Sequence, residues 1–147
     1  MISAQAGKSV VLIASKANTS SVTTTASFDT KGADYALVTV NLGVEKNTNA
    51  IGPTITVKEG DTTSSYATWS SDCTVTGANG DLETTHSVSF LIDTKYRKRY
   101  IELTCATGTA TNDDVVWGAM VSLSSQAEKP SSTSEMVGAS GDVVKLL

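Results

Sequence analysis

The stretch Asp34–Leu42, DYALVTVNL, decides the fold that this sequence predicts. Every second position holds an aliphatic residue: Ala36, Val38, Val40 and Leu42. The residues between them are a mixture of Tyr, Leu, Thr and Asn. A period of two residues is typical of a β-strand with one face against a core. We therefore expect a half-buried strand here.

The same pattern recurs on both sides of this stretch. Eight candidate strands follow one another, namely Ser9–Ser15, Ser21–Phe28, Asp34–Leu42, Pro53–Glu59, Tyr66–Ser70, Ser87–Asp93, Lys98–Ala106 and Val115–Ser124. Turns rich in Gly, Asn, Asp and Ser connect them, and no window shows a sustained helical period. The sequence predicts an all-β fold, an antiparallel β-sandwich of the jelly-roll kind, with a closed barrel as the alternative.

The pattern also predicts the domain organisation. Residues 1–8 lack periodicity and indicate an N-terminal arm, 9–124 form the sandwich, and 125–147 form a flexible tail rich in Ser and Gly. The tail ends in apolar residues: Val143, Val144, Leu146 and Leu147. Such a tip is either frayed or adds a strand to a neighbouring subunit, so these four residues are candidates for protein contact.

Composition limits the classes of function. A chain of 147 residues can bury a core without disulfides or metals. Its net charge of −4 and isoelectric point near 4.8 argue against a general nucleic-acid binder. No apolar run approaches the length of a membrane span. Ser and Thr are abundant, which indicates strands with polar outer faces.

Residues with catalytic or metal-binding chemistry do not cluster in the sequence. His86 is the single histidine, and no serine lies in a Gly-x-Ser-x-Gly motif. Cys73 and Cys105 have no metal-ligand spacing, and we expect free structural thiols, with a disulfide as the alternative. We therefore expect no enzyme activity, no cofactor and no metal.

One unusual cluster of charge stands out, the segment Lys95–Tyr100, KYRKRY. Its cations, called here the basic cluster, are Lys95, Arg97, Lys98 and Arg99. They could protect the edge of a sheet from pairing. They could also bind nucleic acid together with Tyr96 and Tyr100. We favour a third interpretation, in which arginine forks contact carboxylates of a partner subunit.

Four segments carry a resemblance to a known family. In chain order they are Ile13–Thr19, Asp34–Val40, Lys58–Thr63 and Tyr96–Ile101, or IASKANT, DYALVTV, KEGDTT and YRKRYI. Over roughly Leu12–Leu123, the chain resembles small head-associated virion proteins of tailed bacteriophages. The resemblance implies a structural protein that decorates and stabilises the capsid surface, called a cement protein. It supplies no catalytic residues.

The resemblance also implies partners and a location. The partner would be the major capsid protein, and the chain would form a homo-oligomer, for which we expect a trimer. The protein would be made in the bacterial host cytoplasm and reside on the capsid surface of the virion, without binding nucleic acid or membrane.

Two alternative functions remain at this point. One is a tail or head–tail component of the virion. The other is a carbohydrate-binding β-sandwich, whose exposed aromatic residues would bind sugars. Trp69, Tyr66 and Tyr96 are the candidates for such a platform, whereas Trp117 lies on an apolar strand face and is expected in the core.

Overall fold

The computed structural model describes residues 7–19, 21–43, 53–76, 87–108, 115–125 and 143–147. They form ten strands: β1 (Lys8–Asn18), β2 (Thr23–Asp29), β3 (Tyr35–Leu42), β4 (Thr54–Thr62), β5 (Ser65–Ala67), β6 (Thr74–Thr76), β7 (Ser87–Asp93), β8 (Tyr100–Ala106), β9 (Val115–Ser124) and β10 (Val143–Leu146). Two 3-10 turns, Ser71–Cys73 and Thr94–Tyr96, complete the elements. No helix in these ranges has the length and apolarity needed to cross a membrane. The all-β prediction is confirmed.

The strand pairing is nested, as in a long hairpin that has been rolled up. β1 pairs with β9, β2 with β8, β3 with β7, and β4 with β5 and β6. Rolling adds the β3–β9 and β4–β8 pairs and produces two five-stranded sheets. One has the order β1-β9-β3-β7-β10, and the other has the order β2-β8-β4-β5, with β6 also paired to β4. This is the arrangement of a jelly roll, which confirms the predicted sandwich.

The core lies between the two sheets, and β3 is its centre. Ala36, Val38 and Val40 are fully buried, as the alternation predicted, and β3 pairs along both edges. Trp117 on β9 and Phe90 on β7 are the largest fully buried side chains of the described residues. Trp117 is thus a core residue, as expected.

The abundance of threonine is explained by the outer face of the sheet that contains β2, β8, β4, β5 and β6. Four threonines from four strands lie in register in one row: Thr25, Thr104, Thr56 and Thr74. The hydroxyls of Thr56 and Thr74 are 3.2 Å apart, within hydrogen-bonding distance. Branched side chains suit this half-exposed pleated surface.

Two strands were not predicted. β6 has only three residues and follows a 3-10 turn whose first free N–H, that of Asp72, is capped by the Ser70 hydroxyl at 3.2 Å. β5 and β6 pair with different parts of β4, so together they replace one strand of the eight predicted. Segments this short contain too few residues to show a period.

The second unpredicted strand is β10. The tail was predicted as flexible over 125–147, but Val143–Leu146 pair in parallel with β7. At the other end, Lys8 belongs to β1 rather than to the predicted arm 1–8. Residues 1–6 and 126–142 lie outside the described ranges, and the rest of the two predicted arms stays a prediction.

Phe90→Ala should cost about 3–5 kcal/mol in the free energy of unfolding, because it leaves a cavity between the sheets. Thr25→Ala, on the outer face, should cost less than about 1 kcal/mol. Chemical denaturation of both variants measures the difference. Similar losses for the two would contradict the assignment of the core.

Candidate protein-contact site

The basic cluster lies on the connection between β7 and β8, which crosses from one sheet to the other at one end of the sandwich. A 3-10 turn begins this connection, and the carboxylate of Asp93 accepts a hydrogen bond from the Lys95 N–H at 3.1 Å. Thr94 is buried and donates its N–H to the Asp34 carbonyl and its hydroxyl to the Ala33 carbonyl, at 2.9 and 2.7 Å. The connection is therefore joined to the loop between β2 and β3.

The position of β8 decides against one interpretation of the cluster. β8 lies between β2 and β4, and it pairs with both. The cluster therefore does not precede an edge strand, and the interpretation that its charges protect an edge is wrong.

Arg99 forms a two-pronged ion pair within its own chain. Its Nε and Nη2 atoms donate to the Asp29 carboxylate oxygens at 3.0 and 2.6 Å, and its guanidinium lies 5.0 Å from the Tyr100 ring centroid. The Lys31 N–H donates to the same carboxylate at 2.9 Å. The bonds from Arg99 and Lys31 lower the pKa of Asp29 from 3.8 to about 2.

Lys98 and Arg97 contact the hairpin between β4 and β5. Lys98 Nζ lies 2.7 Å from Asp61 Oδ2, and its backbone N–H donates to Glu59 Oε2 at 3.0 Å. Arg97 Nη1 lies 3.8 Å from the same Glu59 oxygen. The hydrogen bond to Asp61 raises the pKa of Lys98. Both carboxylates of the hairpin are thus used by the basic cluster.

Gly60, between these two carboxylates, is required by the tight hairpin. A Cβ at this position would clash with the Ser65 carbonyl oxygen and would lie 3.0 Å from Cδ1 of Tyr66. Only glycine lets β5 return this closely along β4. The tight hairpin that carries the two acidic residues therefore depends on Gly60.

The tip of the basic cluster projects from this network. Lys95 makes no ion pair within the described ranges, and its Nζ lies 5.1 Å from the Tyr35 ring centroid. Tyr96 is 80% exposed, the largest value among the exposed large hydrophobic residues that the structure describes. Lys95 and Tyr96, called here the cluster tip, are the part of the segment that remains open to a partner.

The predicted contact of the arginine forks with a partner subunit therefore stays a prediction. Arg97, Lys98 and Arg99 have carboxylate partners in their own chain, so these charges are already paired without another subunit. Glu59 and Asp61 were not identified from the sequence as partners of these cations. Opposite charges in two turns were the available signal, but the sequence did not show that these turns share one end of the sandwich.

Three of the four segments that carry the family resemblance meet at this end. Lys58–Thr63 contributes the hairpin carboxylates, Tyr96–Ile101 the cations, and Asp34–Val40 the carbonyl that accepts from Thr94. The fourth, Ile13–Thr19, belongs mainly to β1 and lies at the opposite edge of the five-stranded sheet from β10. Motifs far apart in sequence thus form one contact network.

Most of the candidate aromatic residues do not present an exposed ring face to which a sugar could bind. The Arg97 guanidinium lies 5.1 Å from the Trp69 ring centroid and occupies one face of that ring. Tyr66 is half-buried and Trp117 is fully buried. Of the candidates, Tyr96 alone is strongly exposed.

The predicted contact residues of the C-terminal tip lie on the edge of the sandwich beside β7. Val143 and Leu147 pack against the core, whereas Val144 and Leu146 are in register with the outward residues of β7. Leu147 donates its N–H to the Leu91 carbonyl, and its own carbonyl accepts from the Asp93 N–H, both at 2.8 Å. The basic cluster and this tip therefore meet at Asp93.

The described residues contain no group of three or more metal-ligating side chains. Cys73 and Cys105 are both buried and free, and burial raises the pKa of the Cys105 thiol to about 12. His86 lies outside the described residues, so its predicted lack of a chemical role stays a prediction.

No protein-family model matches the sequence, and no curated protein matches it. Among solved structures, the chain is similar to the coat protein of Tobacco streak virus, with 11% sequence identity and a TM-score of 0.37. That match covers 92% of this chain and 97% of the coat protein. At this TM-score the likeness supports no transfer of function, so tailed-phage origin and capsid decoration stay predictions.

The Asp29 carboxyl should titrate with a midpoint near 2 rather than 3.8, which carbon-detected NMR of Asp29 Cγ can measure. Because its folded pKa is lowered, the stability it contributes is present above pH 3.8 and is lost as the pH falls toward 2.

Arg99→Gln should return the Asp29 midpoint toward 3.8, because it removes the largest cause of the lowered pKa. Lys31→Gln is the matched control, since it keeps the arginine fork and the backbone hydrogen bond. A midpoint that is already near 3.8 in the unaltered chain would show that the ion pair does not persist in solution.

Cys105 should resist a disulfide-exchange reagent at neutral pH in the folded protein, because its thiol is buried and not ionised. Urea should make both cysteines reactive, and absorbance of the released thiol follows the reaction. Rapid modification of Cys105 without denaturant would mean that the two sheets separate readily.

Proposed function

We propose that this chain is a virion structural protein that decorates and stabilises a capsid surface as a homo-oligomer. The observation that carries the proposal is the contact network at one end of the sandwich. Three of the four segments that resemble tailed-phage virion proteins meet there, although they are distant in sequence. The proposed role is structural and involves no catalysis.

The network explains how the cluster tip can serve as a contact. The ion pairs and backbone hydrogen bonds orient the β7–β8 connection before any partner binds. A surface that is ordered in advance loses less conformational entropy on binding. Tyr96 is exposed at its apex, and tyrosine is among the residues that most often dominate binding energy at protein interfaces.

The setting would be a lattice of identical capsid subunits. Modest contacts gain strength when several copies of the tip bind at once, which a homo-oligomer allows. A trimer at three-fold positions of the shell, bound to the major capsid protein on the virion surface, fits this arrangement. Binding to the assembled shell in preference to its separate subunits would stabilise the capsid by mass action.

A binding experiment with capsids tests the proposal. Purified protein is titrated onto capsids of a tailed phage from which its gene has been deleted, and bound protein is quantified after sedimentation. We expect saturation at many equivalent positions and a higher temperature of capsid disruption. Saturation at a few copies per particle would instead indicate a tail or head–tail component, and absence of binding would overturn the proposal.

Tyr96→Ala should weaken capsid binding at least about fivefold, because loss of a central interface tyrosine typically costs more than about 1 kcal/mol. Ser27→Ala, exposed on β2, is the control and should bind like the unaltered chain. The same titration measures both. Equal affinity for the two variants would exclude the cluster tip from the contact.

A further inference from the structure

β10 differs from the other described strands in how it joins the fold. The nested pairs use β1 to β9 and complete the roll without it, and its pairing with β7 is parallel while the other described pairs are antiparallel. β7 would otherwise be the edge of the five-stranded sheet. β10 is thus an addition to a finished jelly roll.

β10 nevertheless closes the gap between the sheets on this side. Val143 and Leu147 pack against the core. Lys145 Nζ lies 3.1 Å from the Asp72 carboxylate, on the 3-10 turn that precedes β6 of the other sheet. One short strand therefore contacts both layers, and the seam beside β7 is incomplete without it.

The chain reaches β10 from the far end of the sheet. β9 ends at Ser124, which pairs with Tyr35, and Tyr35 pairs in turn with Asp93 at the end of β7. β10 begins beside Val88, near the start of β7. The two points differ by five positions along β7, about 17 Å, and by three strand spacings, about 14 Å. The direct separation is therefore about 22 Å.

The segment between β9 and β10 is long enough to reach farther than β7 of its own chain. Residues 126–142 can span at most about 60 Å when extended, well beyond the distance to β7 of the same chain. To reach its own β7, the segment must pass over or around β3 and β7, because the inner faces of these strands are filled by the core.

The composition of this segment does not favour packing across the sheet. It is QAEKPSSTSEMVGASGD, mostly polar, with Pro130 and two glycines. Parallel strands are usually joined by a helix that packs on the sheet, and this segment shows no helical period. So polar a segment would bury little apolar surface on the sheet to offset the loss of conformational entropy.

We infer that β10 is a donated strand: in the assembled oligomer it pairs with β7 of a neighbouring copy and closes that copy's seam. The inference rests on the proposed function, which requires an oligomer. The contacts are the same within one chain or between two, so each subunit exchanges an equivalent element with its neighbour. The contact residues are those predicted for the tip: Val143, Val144, Leu146 and Leu147.

Disulfide trapping tests the donation in the full chain. Ser89 and Val144 are in register on the outer face, at a strand spacing that a disulfide can bridge. Ser89→Cys and Val144→Cys are introduced into separate chains, which are unfolded, mixed, refolded together and mildly oxidised. We expect covalent heterodimers on non-reducing gels, with the bond between the two introduced thiols identified by mass spectrometry.

The double variant with both substitutions in one chain should form covalent oligomers. Ser9→Cys with Ser122→Cys is the matched control, because these two hydroxyls lie 2.9 Å apart on neighbouring strands of the roll itself. That pair should give only internal disulfides. Strand donation would be overturned if the double variant at Ser89 and Val144 formed only internal disulfides. It would also be overturned if neither the mixed single variants nor the double variant formed a disulfide.

The outcomes separate this inference from the proposed function. A chain that forms only the internal disulfide and still saturates capsids would overturn strand donation and leave decoration intact. A chain that forms intermolecular disulfides but fails to bind capsids would support donation and overturn decoration.

Discussion

The pairing of β3 on both of its edges is the constraint on which the rest of the structure depends. β3 pairs with β9 on one side and β7 on the other, and its inward residues, Ala36, Val38 and Val40, are fully buried. This fixes β7 as the last strand of the roll, with one edge available to β10. It also directs the β7–β8 connection across the end of the sandwich, where the basic cluster meets its carboxylates.

The ion pairs at that end of the sandwich position the connections more than they contribute to the free energy of unfolding. Each is at least partly exposed, and exposed pairs contribute about 0–1 kcal/mol. Their effect is to hold two connections in one arrangement, since Arg99 binds Asp29 with two prongs and Lys98 binds the hairpin through both its backbone and its side chain. The cluster tip then projects from an ordered base, which suits a protein that must make the same contact many times on a repeating surface.

Much of this fold could be predicted from the sequence because its long strands alternate clearly. The bounds of β7 and β9 match the prediction to the residue, and those of β3 differ by one. β6 and β10 were missed because three or four residues show no period, and β10 is held by the edge of β7 and the core beneath it. The ion partners were missed for a related reason, since Glu59 and Arg97 become neighbours only when the roll brings their loops to one end.

Cryo-electron microscopy of the virion that carries this protein tests the central claim most directly. We expect density for the jelly roll at regular positions over the shell, with Tyr96 against the coat lattice and β10 of each copy on its neighbour's β7. Density confined to the tail or to a single vertex, or no density on the virion, would contradict a role in capsid decoration.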